Sequence, residues 1–240
     1  MHPARIAELL HPFLSEANDQ RPTTKGALYK DISTYIDLLQ HWNARINLTA
    51  IRNEEEIVTR HFGESHFAAT HLFPKVYPVN PVPSVVDDLD FDSANDQRRT
   101  TNDRLADLGS GAGFPGIPIK LWAPNVSVTL IESNQKKATF LKEVVRSLTL
   151  TDINIQNVRA ETLPPATFDV VTLRAVERLS EILPVAANLL ASNGRLALLI
   201  SSSQLEKTRQ ALPNLAWAPP IPIPQSESRV LLIGTRNHAS

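Results

Sequence analysis

The residues with the clearest chemical potential form one run, Asp107-Leu108-Gly109-Ser110-Gly111-Ala112-Gly113-Phe114-Pro115-Gly116. Leu105-Ala106 precedes it as a short buried strand would, and a helix is predicted from about Ile117 to Trp122, stopped by Pro124. A strand, a glycine-rich turn and a helix start make a general nucleotide pocket. Glycines let the backbone approach a ligand, and the helix start offers N–H groups that lack intrahelical partners. Gly111, Gly113 and Gly116 satisfy the G-x-G-x-x-G spacing literally. Glu132, at the end of the next predicted strand, lies where an acid that binds ribose hydroxyls is expected. On this pattern alone, NAD and S-adenosylmethionine are both admissible ligands. Asp107, two residues before the first glycine, tips the balance. An acid there suits a ligand carrying an amino group and a sulfonium, and opposes a pyrophosphate. Phe114-Pro115 also stiffens the loop after Gly113. The alternative for Asp107 is a cap on the following helix or an acceptor for loop N–H groups. For Glu132 it is a solvated acid at a strand end.

Other chemistries are excluded by composition. The chain has 240 residues and no cysteine, which removes disulfides, thiolate metal sites and covalent attack by a thiolate of the kind used to make 5-methylcytosine. No metal site is expected. The net charge of −1 is modest for a nucleic-acid binder, although a local basic face matters more than the sum. No run approaches the roughly 20 apolar residues of a membrane span. The start, Met1 to Glu8, lacks the apolar core of a signal peptide, so a cytoplasmic location and a monomer are the default expectations.

Hydrophobic residues at 42% and charged residues at 20% are those of an ordinary globular chain. Residues 1–75 read as helical. Leu28, Ile32, Tyr35, Ile36, Leu38, Leu39 and Trp42 recur at spacings of three and four, which predicts an amphipathic helix from Gly26 to about Arg45. Asn53 is placed to cap a second helix running through Phe67, with Glu54, Glu55 and Glu56 in its first turn. Residues 76–104 are rich in proline, acids and polar residues without a period, and read as a long mobile insertion. Strands are then predicted at 105–108, 126–131, 153–158, 168–173, 195–200 and 229–235, with a helix over 136–148. Strands alternating with helices imply an α/β fold with a mostly parallel sheet covered on both faces.

These segments together resemble the bacterial small-subunit ribosomal RNA guanine-N7 methyltransferases, the glucose-inhibited division protein B family. The matching residues are Trp42-Asn43 with Asn47-Leu48-Thr49, Arg60-His61, the run Asp107 to Pro118, and Glu132-Ser133 with Lys136-Lys137 and Phe140-Leu141. They continue with Val158-Arg159-Ala160-Glu161, Arg174-Ala175, and Glu227 with Arg229. The resemblance covers about residues 28–75 and 104–236, and Gly-Phe-Pro-Gly-Ile-Pro is its most specific part. It implies a class I, Rossmann-like methyltransferase with a seven-stranded, mostly parallel sheet. A helical N-terminal cap (1–75) and the insertion (76–104) would precede a catalytic domain (105–240). The implied cofactor is S-adenosyl-L-methionine, and the implied substrate is a guanine in the decoding-region loop of 16S ribosomal RNA, free or in the small subunit. By the same resemblance, Asp107, Gly109, Gly111, Gly113 and Phe114 would line the cofactor, Glu132 would take its ribose, and Ala160 and Glu161 would lie by its adenine. Arg174 and Arg229 would be the catalytic arginines, Arg174 also touching cofactor. Arg60, His61, Arg159 and Arg229 would contact RNA.

Three departures from the family pattern stand out. His61-Phe62-Gly63-Glu64-Ser65 carries Glu where the family usually has Asp. Ser201-Ser202-Ser203 replaces a frequent Lys-Gly, removing a cation. The insertion is atypical. Guanine N7 has an in-plane lone pair and no proton, so its methylation needs positioning and no general base. The product is cationic, which makes an arginine against N7 itself unhelpful. Phosphates, the O6 edge or a cofactor carboxylate are better partners for Arg174 and Arg229. Two other classes fit less of the sequence. One is a nucleotide-sensing module without transfer activity. The other is an NAD-dependent oxidoreductase, which lacks the second nucleotide-binding half.

Overall fold

Successive residues of a strand face opposite sides of a sheet, and the apolar residues of this chain divide accordingly. Leu105, Val170, Leu199 and Leu231 enter one core, while Ala106, Leu108, Val171, Leu173 and Leu198 enter another. The computed structural model describes residues 1–14, 25–74, 103–174 and 179–236. The insertion expected at 76–104 lies outside these apart from Asp103 and Arg104, and Ala175 lies outside them too. Arg104 belongs to the first strand rather than to the insertion.

The strands are β1 (Arg104–Leu108), β2 (Ser127–Ile131), β3 (Ile153–Gln156), β4 (Phe168–Arg174), β5 (Leu190–Ser201), β6 (Leu215–Trp217), β7 (Ile221–Pro222) and β8 (Arg229–Arg236). They form one sheet of eight, in the order β3-β2-β1-β4-β5-β8-β6, with β7 also paired to β8. The first five are mutually parallel, and β8 runs antiparallel to β5, β6 and β7. The sheet therefore has eight strands where seven were expected. The unexpected short strands β6 and β7 carry too few residues for any period, and the proline in β7 is tolerated at a sheet edge. The chain leaves β1 on one side to make β2 and β3, then returns to make β4 on the other. Ligands of open α/β sheets bind in the crevice at such a reversal, outside the carboxyl ends of the strands.

Helices α1 (Pro3–Leu10), α2 (Lys25–Asn43), α3 (Glu54–Glu56) and α4 (Glu64–Leu72) precede the sheet. Helices α5 (Gly116–Trp122), α6 (Gln135–Ser147), α7 (Leu179–Leu189) and α8 (Leu205–Ala211) connect its strands. Ile6, Ile32, Tyr35, Leu39 and Phe62 from the N-terminal helices share one core with Ile117, Phe140 and Leu141 of α5 and α6. The N-terminal helices are thus built onto one face of the sheet.

The second predicted helix extends to Leu72 and is not uniform. Asn53 accepts the Glu56 N–H at 3.0 Å, as expected of its cap, but Ile57–Gly63 winds as a π turn between α3 and α4. Such turns interrupt regular helices rarely, and frequently at functional sites. Gly63 permits the tight packing there, since a Cβ at that position would lie 2.7 Å from the Phe13 ring.

Candidate active site at the switch point

β1 and β4 are adjacent and in register, with Asp107 opposite Thr172. Strand alternation puts both on the same face as Leu105 and Val170, beneath the start of α5. Asp107 is fully buried. Its Oδ2 accepts the Gly116 N–H at 3.1 Å and its Oδ1 accepts the Thr172 hydroxyl at 2.9 Å. Burial lifts its pKa to about 6, against the opposing effect of these donors and of Arg174. Both carboxylate oxygens are engaged by the protein, so the side chain ties the loop to the sheet and caps α5. Gly116 allows the contact, because a Cβ there would stand 2.9 Å from Asp107 and 2.5 Å from Leu130.

The glycine loop leaves β1 with Gly109, Gly111 and Gly113 at positive φ. At Gly113, φ is +87° and a side chain would collide with the hydroxyl of Tyr35. That buried phenol donates to the Ala112 carbonyl, and its ring stacks on Phe114 with centroids 5.3 Å apart. The other side of the loop is open. A Cβ on Gly109 would meet nothing within 4 Å, and one on Gly111 only a loop carbonyl at 3.7 Å. Glu132, nearly buried at the end of β2, accepts the Gly111 N–H at 2.9 Å and the Asn134 N–H at 2.7 Å. It joins the loop to the start of α6, which Asn134 caps. Ala160 is buried and Glu161 exposed in a 3₁₀ turn after β3, with Arg159 exposed at its N-cap.

The open loop face, the acid at the end of β2 and the apolar Ala160 fit a nucleoside-bearing cofactor such as S-adenosylmethionine. Among the described residues no group of His, Cys, Asp or Glu is placed to hold a metal ion, and no helix is long and apolar enough to cross a membrane.

Arg174 and Arg229 end on the same sheet face as Asp107, one at the close of β4 and the other at the opening of the antiparallel β8. They meet at Glu64, a nearly buried residue at the start of α4. Glu64 Oε2 pairs with Arg174 Nε at 3.2 Å, and Oε1 pairs with Arg229 Nε at 3.0 Å. Arg174 further donates to the Arg60 carbonyl at 2.6 Å and to Nδ1 of His61 at 2.8 Å. Its guanidinium also lies 5.9 Å from the centroid of the Phe114 ring. Burial pulls the pKa of Arg174 down from its usual value, with Glu64 opposing. Arg229 reaches the Leu199 carbonyl at 3.3 Å.

His61 stacks on Phe114, with ring centroids 4.7 Å apart, and its Nε2 is 2.8 Å from the Thr49 hydroxyl. A guanidinium can only donate, so Nδ1 is the acceptor and the ring proton sits on Nε2. Burial, with Arg174, Arg60 and Arg229 nearby, lowers the His61 pKa to about 2. His61 is therefore neutral, with both nitrogens engaged by the protein. The Arg60 side chain turns away to Glu56 at 3.2 Å and is about half exposed.

Arg174 and Arg229 line a cleft of about 80 Å³ with Leu173, Leu179, Leu199, Ile200, Ser201 and Gln204. The three serines that replace the expected Lys-Gly turn the chain from β5 toward α8. There the Ser201 N–H donates to Gln204 Oε1 at 3.0 Å, and the Ser201 and Ser203 hydroxyls are 3.0 Å apart.

The structure thus gathers Arg174, Arg229 and His61 at one place, and Asp107, Glu132 and the glycines beside it. It leaves Arg60 and Arg159 on the surface. Glu64, Thr172, Tyr35, Thr49 and Gln204 were not among the expected site residues. Tyr35 had only an apolar-stripe signal, and Glu64 stood out only as the family's Asp-to-Glu departure.

A family model described as rRNA small subunit methyltransferase G matches residues 28–76 and 79–216. Among the relatives is a ribosomal RNA small subunit methyltransferase G from Xylella fastidiosa (strain 9a5c). It is 42% identical over 163 residues, covering 68% of this chain and 64% of the relative. Another of the same name, from Stenotrophomonas maltophilia (strain K279a), is 35% identical over 193 residues, covering 80% of this chain and 76% of the relative. The match to the Xylella protein therefore takes in just under two thirds of that protein's length. Among solved structures, ribosomal protein L11 methylase from Lactobacillus delbrueckii subsp. bulgaricus has a TM-score of 0.50 at 23% identity, covering 59% of this chain and 73% of that one. The shared fold is that of the class I methyltransferases. The matched residues include the glycine loop, Glu132 and Arg174 and stop short of Arg229, and on that match the chain belongs to the rRNA small subunit methyltransferase G family.

Proposed function

We propose that this protein methylates N7 of a guanine in small-subunit ribosomal RNA, in the decoding-region loop that its family resemblance points to, with S-adenosyl-L-methionine as methyl donor. The observation that carries this reading is the adjacency of two features at one switch point. The open glycine loop with Glu132 lies beside a cleft whose arginines are held by Glu64. When bound, the cofactor supplies an electrophilic methyl on a sulfonium. Gly109 and Gly111 line its methionine half, Gly113 and Phe114 back the loop against Tyr35 and His61, Glu132 takes the ribose hydroxyls, and Ala160 and Glu161 flank the adenine. Asp107 acts by holding the loop through Gly116 and Thr172.

Attack by N7 needs no base, and the neutral His61 fits that requirement, since neither of its nitrogens is placed to take a proton from substrate. Arg174 and Arg229 face the cleft and hold RNA phosphate or the cofactor carboxylate, with the charge not offset by Glu64. Exposed Arg60 and Arg159 grip phosphates further out. Catalysis rests on in-line placement of N7 against the methyl. We further propose that the protein is a monomer acting in the cytoplasm on 16S ribosomal RNA or the small subunit.

The test is transfer of labelled methyl from S-adenosylmethionine to small subunits lacking the modification, with the modified base mapped. Label on a guanine N7 in the decoding region is the expected result. Tight binding of S-adenosylhomocysteine with no transfer to any ribosomal RNA would refute the proposal.

A further inference from the structure

We propose that Gln204 reads the O6 edge of the acceptor guanine and is the residue that selects guanine over adenine; the assignment rests on the methyl-transfer reading above. Four polar side chains line the cleft, those of Arg174, Arg229, Ser201 and Gln204. The two arginines are anchored on Glu64, with further bonds to His61 and to the Arg60 and Leu199 carbonyls. The Ser201 hydroxyl is paired with that of Ser203 and accepts the Gln204 backbone N–H, closing a capping box in which the Gln204 side chain answers the Ser201 N–H. Gln204 differs from all three because its orientation is dictated by its partner. The Ser201 backbone N–H can only donate, so the amide oxygen must face it, and it does so at 3.0 Å. The amide nitrogen therefore points away, and no acceptor among the described residues takes its two N–H groups.

That arrangement suits guanine for two reasons. Guanine presents N7 and O6 as adjacent acceptors, whereas adenine presents an acceptor at N7 and an amino donor at N6. An amide N–H₂ pairs with the first edge and opposes the second. Methylation also leaves the guanine ring positively charged. A neutral donor holds O6 without adding to the positive charge that Arg174 and Arg229 already bring to the cleft. The cation that the family often carries after the fifth strand is replaced here by Ser201 to Ser203, and Gln204 supplies the donor on this wall of the cleft.

The test is a substrate–enzyme cycle with the full-length protein. Small-subunit RNA is assembled by ligation with either guanine or 2-aminopurine at the acceptor position; 2-aminopurine keeps N7 and lacks O6. The wild type is compared with Gln204→Glu, which retains an acceptor for the Ser201 N–H, and with Gln204→Met, which is uncharged. We expect the wild type to prefer guanine in kcat/KM by about 10- to 100-fold more than either variant does. S-adenosylhomocysteine affinity stays near the wild-type value in both variants; thermal stability does so in Gln204→Glu, while Gln204→Met melts somewhat lower because it gives up the acceptor for the Ser201 N–H. An equal preference in the wild type and both variants would overturn the role of Gln204 while leaving methyl transfer intact. Absence of transfer to guanine by the wild type would overturn the underlying reading instead.

Discussion

Arg174 donates to Nδ1 of His61 across 2.8 Å, and this contact joins the end of β4 to the π turn of the N-terminal helices. The histidine that the family resemblance offers as an RNA contact is thereby a buried acceptor, held neutral by its burial and by the nearby Arg174, Arg60 and Arg229.

His61 makes stability sensitive to acid. Its folded pKa is about 2 against an ordinary 6.5. Between those values the unfolded chain binds a proton that the folded chain refuses, so this contribution is complete above about 6.5 and is lost as pH falls. In His61→Gln, whose carbonyl still accepts from Arg174, the acid-side slope of unfolding free energy should be shallower by about one proton. Denaturant titrations from pH 4 to pH 7 measure it, and an unchanged slope would count against a buried neutral ring.

Asp107 behaves in the opposite sense. Its folded pKa is raised from 3.8 to about 6. The folded chain keeps the proton longer, so this contribution is present below about 3.8 and is lost as pH rises through 6. Asp107→Asn should remove that dependence and keep S-adenosylhomocysteine affinity within about tenfold, because an amide can still accept from Gly116 and meet Thr172. Asp107→Ala should weaken affinity further by freeing the loop. A loss as large in Asn as in Ala would instead mean that the carboxylate charge meets the ligand directly.

Arg174→Ala should cost about 3 kcal/mol of stability as well as activity, because it strips a buried carboxylate of one partner and leaves the His61 acceptor unmet. Urea unfolding measures the first effect and single-turnover methyl transfer the second. A variant of normal stability with no activity would show that the arginine serves the substrate alone.

Two glycines of the loop should respond differently. Gly109→Ala incurs the left-handed backbone penalty of about 1 kcal/mol, and its methyl projects into open space. It should fold and lose S-adenosylhomocysteine binding. Gly113→Ala adds collisions with the Tyr35 hydroxyl and with Ile117 Cδ1 at 2.7 Å, and should lose more than 2 kcal/mol of stability. Calorimetric titration with thermal melts separates the two; equal melting temperatures would contradict the packing around Gly113.

Much of this protein is written locally. The short apolar strands, the three-and-four spacing of Ile32, Tyr35, Ile36 and Leu39, and the glycine run each depend on neighbours within a few residues. Helix caps at Asn53 and the alternation that sends Asp107 and Thr172 to one face are of the same kind. So was the family, because its glycine motif is itself a short contiguous string. The double anchor on Glu64 was not legible. It joins residues 64, 174 and 229, which only the parity of β4 and β8 and the packing of the N-terminal helices bring together. The charge of His61 and the inward turn of Asp107 were decided in the same way. Both follow from burial, and burial is a property of what packs from elsewhere in the chain. The sequence by itself determined the parallel strands, the longer helices, the cofactor loop and the family, while the short strands β6 and β7 and the π turn were left to the tertiary structure. The tertiary structure decided which charged side chains face the cleft and which are spent holding it together, because that choice depends on contacts between residues far apart in the chain.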